Sequence, residues 1–142
     1  MSLDKLVEEG RVHPFKATPE EINKAVEIAR RDLALAEKIY KEDLDWCFSI
    51  TYNAVLQISR AYMFHLGYRS SSAEAHKTTF EFMQFVIDDP FKKYISYFDR
   101  VRKKRHRTLY DEAGLVTEND AKGLLRRARD YFSFVEDKLK NS

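Results

Sequence analysis

Apolar residues along this chain recur at spacings of three and four, the period of a helix that buries one face. The first clear run is Ile22, Val26, Ala29, Leu33, Ala36 and Tyr40. It follows Thr18-Pro19-Glu20-Glu21, where Thr18 is placed to cap, Pro19 to open and Glu21 to reach back; a helix of about 22 residues is predicted. A second helix is expected from near Asp43 to about Leu66, with Gly67 as its left-handed stop. Its apolar positions, including Cys47, Ile50, Ala54, Ile58, Ala61 and Tyr62, spread wider than one stripe, which makes it the central helix. Asn53, Gln57 and Arg60 form a polar line through it that bonds to neighbouring helices or faces solvent.

Ser71-x-x-Glu74 reads as another capping box, opening a shorter helix to roughly Ile87. Phe80, Phe82, Met83, Phe85, Val86 and Ile87 read as packing, and His76 in the first turn as a structural histidine. Asp88-Asp89 breaks the pattern, and Pro90 at a first helical position begins a fourth helix that stops at Gly114. Thr117-Glu118-Asn119-Asp120 starts the last helix, whose stripe runs from Ala121 through Leu124, Leu125, Ala128, Tyr131, Phe132 and Val135 to Leu139. No segment alternates with period two. The expected architecture is all-α, an up-and-down bundle of four long helices plus a shorter fifth. It forms a single domain over residues 18–140, preceded by an irregular or partly helical lead-in over residues 1–17 with His13 exposed.

A chain of 142 residues is the size of one domain, and 44% hydrophobic with 34% charged residues is a globular balance that excludes a disordered chain. The lone Cys47 excludes an internal disulfide framework and fits a reducing cytoplasm. No apolar run is long enough to cross a bilayer and MSLDKLVEEG lacks a signal-peptide core, so a cytoplasmic protein without membrane contact is expected. The four histidines, His13, His65, His76 and His106, lack the spacing of a zinc site; no metal or other cofactor is expected. Phosphate loops and nucleophile elbows are absent, and the paired carboxylates sit at helix ends, where capping explains them.

Net charge is only +2, which makes one local concentration of charge conspicuous. In the stretch DRVRKKRHRTLYD, six of the eight residues from Arg100 to Arg107 are basic. On a helix the stripe Tyr94, Phe98, Val101, Arg105, Leu109 gives Arg105 a slot where an aliphatic residue belongs. Asp99, Lys103, His106 and Tyr110 stack along its flank. The bland reading makes Arg100, Arg102, Lys104 and Arg107 a solvated face or an acidic-partner footprint, and Arg105 a buried ion-paired group at a helix–helix or subunit contact. Arg, His and Tyr within six residues favour a functional site, with Arg60 a candidate to help Arg105 build a positive cleft.

These features together resemble the HEPN-domain family (higher eukaryotes and prokaryotes nucleotide-binding), in particular its prokaryotic toxin-like branch. The likeness rests on Arg-Asp-Leu-Ala-Leu-Ala in the first helix, on TYNAVLQISRAYMFHLGYRSSSAEAHKTTFEF, on RVRKKRHRTLYD and on the ending ARDYFSFVEDKL. The family motif is an Arg, four to six residues and a His. In the preferred frame Arg105 is the motif arginine, His106 the polar residue after it, and Tyr110 stands where the motif histidine is expected. In the other frame Arg100 and His106 are the pair. The resemblance implies metal-independent RNA cleavage by a homodimer, with Arg105 clamping phosphate, His106 moving a proton and Tyr110 orienting. It assigns Arg102, Lys103, Lys104 and Arg107 to sequence-independent affinity. It also implies a nucleotidyltransferase antitoxin as partner. The alternatives are a non-catalytic module that binds nucleotide or RNA, a dimeric scaffold, and a bundle whose basic helix docks an acidic protein.

Overall fold

The structure, a computed structural model, describes residues 2–141. Four long helices make the frame: α2 (Pro19–Ile39), α3 (Leu44–His65), α5 (Phe91–Tyr110) and α6 (Glu118–Lys140). The shorter α4 (Ala75–Val86) lies between α3 and α5 in sequence, and a six-residue α1 (Leu3–Glu8) precedes them all. The termini of the long helices follow local chemistry. Glu21 N donates to Thr18 Oγ1 at 3.1 Å while Thr18 N donates to Glu21 Oε1 at 3.0 Å, closing the expected capping box. Asp43 caps α3 through Trp46 N, and Thr117 with Asp120 forms a second box on α6.

The centre belongs to α3. Cys47, Phe48, Tyr52, Ile58 and Met63 are buried on it, against Ala29 and Leu33 of α2 and Leu124, Ala128 and Tyr131 of α6. Two of its buried hydroxyls are satisfied within the helix, while the Ser49 hydroxyl is buried without a partner. Thr51 and Ser59 hydroxyls donate back to the Cys47 and Val55 carbonyls, and Ser59 also meets the Tyr131 hydroxyl at 2.6 Å. From the expected polar line, Asn53 donates to the buried Asp32 of α2 at 2.7 Å, and Gln57 accepts from Arg60.

Four expectations change. The lead-in is ordered: after α1 it forms β1 (Val12–Pro14), antiparallel to β2 (Tyr68–Ser70), with His13 opposite Arg69. Leu6 and Val12 enter the common core, and Arg11 ties the segment to Thr78 and Glu81 of α4. Ser71 and Glu74 do not cap α4. Glu74 is itself the N-cap in a left-handed conformation (φ 51°), because the chain must turn sharply out of β2, and the Ser71 hydroxyl is taken by the Arg11 carbonyl. Pro90 is the N-cap of α5 rather than its first helical residue. Phe85 is 41% exposed, since α4 is too short for a fully covered face.

Candidate nucleic-acid groove

Helix α5 enters the core through Ile95, Phe98 and Val101, and one turn later the same stripe reaches Arg105. The ring of Tyr52, fully buried on α3, receives that guanidinium: the Arg105 carbon lies 5.0 Å from the ring centre. A cation over a phenol face is attracted by the ring's negative surface, which is how a charge rests on an apolar stripe. Arg105 Nε is buried without a hydrogen-bond partner, and among the described residues no carboxylate pairs with this side chain. Within one chain, therefore, no buried ion pair between helices holds it.

Tyr52 connects the arginine to α4. Its hydroxyl meets His76 Nδ1 at 3.1 Å, with the two rings 5.8 Å apart. Burial pushes the Tyr52 phenol well above its ordinary range, against a smaller downward pull from Arg105 and Arg102, so it stays protonated. Burial also lowers the His76 pKa, and Arg105, Arg102 and Arg60 lower it further, which keeps the imidazole neutral.

Between the start of α4 and the last turns of α5 runs an open groove of about 500 Å³. Arg105, Arg102, His106 and Tyr110 line it from α5, and Glu74, His76 and Lys77 from α4. The exposed His106 and Tyr110 rings pack one turn apart in a tilted pair, 4.9 Å between centres. Arg102 reaches the groove while its Nε donates to Asp99 at 2.9 Å.

The rest of the basic run disperses. Arg100 lies over the Tyr97 ring at 5.9 Å, outside the groove lining. Lys104 donates to Asp120 at 2.7 Å. Burial pushes the Asp120 carboxyl up, but the bonds from Lys104 and Thr117 outweigh it and hold it below the usual range, so this lysine anchors the first turn of α6. Arg107 sits 3.9 Å from Glu112, and Lys103 is exposed away from the groove. Arg60 lines an adjoining cavity with His76, at the back of the same wall.

One contributor, Tyr52, was not singled out by the sequence, and His76 is the hydrogen-bonded structural histidine that its first-turn position suggested, with a partner the sequence did not name. Their pairing joins positions 24 residues apart, and only the packing of α4 on α3 reveals it. The left-handed Glu74 carries no local signal, because asparagine or glycine is the usual marker of that conformation.

Chemically, the groove offers an unpaired guanidinium held on a ring, a second arginine, a half-buried neutral imidazole and an exposed one. That donor set suits a phosphodiester. Among the described residues, no three His, Cys, Asp or Glu side chains are placed to hold a metal ion, and no helix is long and apolar enough to cross a membrane. A search of curated proteins returns no match. The family model described as HEPN domain matches residues 22–138, from the first turn of α2 to the last turn of α6. With four long helices, a short fourth element and a basic α5 stretch in their expected places, the chain belongs to the HEPN-domain family of nucleotide- and RNA-associated helical domains.

Proposed function

We propose that this protein acts on RNA, as a metal-independent endoribonuclease whose working form is a homodimer. The observation that carries the reading is Arg105: a guanidinium seated on Tyr52 with no carboxylate in ion-pair contact, opening into a groove rimmed by Arg102, Lys77, His106 and Tyr110 against one carboxylate, Glu74. Arg105 and Arg102 hold a phosphodiester by charge-assisted hydrogen bonds. The ribose 2′-oxygen then bonds to phosphorus as the bond to the 5′-oxygen breaks. His106 takes the 2′-hydroxyl proton, and an imidazolium returns one to the leaving 5′-oxygen. A twofold axis that brings two grooves together doubles the cations and supplies the second imidazole. Tyr110, packed at a tilt against His106, orients that ring. A small nucleotidyltransferase, the partner implied by the family resemblance, would act as the antitoxin of such a pair.

One observation favours a second reading, in which the groove binds nucleotide or RNA without cutting it. Tyr110 occupies the position where the motif places a histidine, and a phenol is a poor proton carrier at neutral pH. Incubation with structured and unstructured RNA in the presence of a chelator separates the two. Cleavage leaving 2′,3′-cyclic phosphate ends, lost in His106→Ala and in Arg105→Ala with the helical circular dichroism retained, is expected for the ribonuclease. Binding without cleavage selects the second reading, and indifference to RNA removes both. Light scattering of the purified protein tests the dimer.

A further inference from the structure

The groove does not end at His76. Ser72, Ala75 and His76 also line a second cavity of about 730 Å³, a volume typical of small-ligand sites, on the side away from Arg105. Its walls are α3, β1, β2 and the start of α4, with Glu21 of α2 at one side. Arg60 projects from α3 with its guanidinium 5.6 Å over Phe64, and Arg69 from β2 with its own 5.2 Å over Phe15. Phe15 and Phe64 in turn pack at 5.3 Å, so two exposed arginines are backed by one pair of rings. His13 faces Arg69 across the strand pair.

Charge is unevenly balanced here. Among the described residues neither Arg60 nor Arg69 is in an ion pair, whereas Arg11, Arg30, Arg31, Arg102, Arg107 and Arg129 each have a carboxylate. The one carboxylate lining the cavity, Glu21, is engaged with the Thr18 amide in the α2 capping box. A guanidinium already held on a ring loses little freedom when it binds, and its planar fork matches a phosphate or carries a stacked base.

We infer that the β1–β2 cavity is a second phosphate-binding subsite, formed by Arg60 and Arg69, and that single-stranded RNA runs from it across His76 into the Arg105 groove. The inference rests on the RNA reading of that groove and extends it from one phosphate to a strand. It also gives the lead-in a purpose, since β1 supplies His13 and positions β2. An acidic peptide would meet the same cations, but it would not need the cavity's continuity with the groove, and its affinity would not grow with strand length.

Fluorescence anisotropy with labelled hexauridylate and the dinucleotide UpU tests this on the full chain. The wild type is expected to bind the hexamer at least about tenfold more tightly than UpU, the gain expected from one or two charge-assisted contacts. In the double variant Arg60→Met/Arg69→Met that gain disappears, and the slope of log affinity against log salt falls by about 1.4, roughly 0.7 for each lost contact to a single strand. Arg60→Lys/Arg69→Lys keeps the slope. If the double methionine variant retains both the gain and the slope while Arg105→Met loses affinity, the subsite is overturned and the groove stands. If the wild type binds neither oligomer, the groove reading falls and the subsite with it.

Discussion

Consider His76→Gln, a substitution that keeps a hydrogen-bonding side chain but removes the titration. Half-buried against Tyr52 and facing three arginines, His76 has a pKa below its ordinary value, first through burial and then through Arg105, Arg102 and Arg60. The unfolded chain protonates this residue as pH falls through about 6.5, while the folded chain resists until its lowered pKa is reached. Stability is therefore fully present above pH of about 6.5 and is lost as pH falls from there to the folded pKa. One whole proton sets the ceiling, about 1.4 kcal/mol per pH unit, or about 4 °C in Tm for a domain of this size. Urea unfolding at closely spaced pH values between 7.5 and 5 reads the slope directly. The wild type is expected to lose stability across this window faster than His76→Gln. Arg105→Met should lie between them, because one of the cations that depresses the imidazole is gone. Identical slopes in wild type and His76→Gln would refute the placement of His76 beside Tyr52 and the arginines.

Three further perturbations probe particular contacts. Leu6→Ala removes a side chain with no exposed surface from the lead-in, and should cost about 3 kcal/mol in chemical denaturation, showing that residues before α2 share the common core. Tyr131→Phe deletes a buried hydroxyl bonded to Ser59, whose oxygen keeps its bond to the Val55 carbonyl; a loss of about 1 kcal/mol is expected by the same measurement. Glu74→Gly relieves the left-handed backbone (φ 51°) and should stabilise by about 1 kcal/mol, whereas Glu74→Ala keeps the strain; a scanning calorimeter distinguishes them.

How far the sequence anticipated this structure depends on how local each determinant is. The caps at Thr18, Asp43 and Thr117 act within one turn, so α2, α3 and α6 were legible to within a residue or two. The beginning of α4 was not, because Ser71 and Glu74 carry the letters of a capping box while a turn out of β2 decides their conformation. The three-residue strands are too short to alternate visibly, and Val12 pairs with Ser70 across the whole of α2 and α3. Arg105 was legible because it breaks a pattern its neighbours keep. Its contacts were not, since a ring on α3 and an imidazole on α4 become its neighbours only after packing. The same holds in reverse for Lys104, which belongs to a basic run in sequence and to the cap of α6 in space.

The central claim is that the unpaired guanidinium on Tyr52 exists to hold a phosphodiester. Its most direct measurement is the affinity of single-stranded RNA for wild type and for Arg105→Met, determined by anisotropy over a range of salt. Expected is a loss of at least about tenfold in affinity with a salt slope shallower by about 0.7, the helical fold unchanged. Equal affinity and equal slope in the two proteins would contradict the claim.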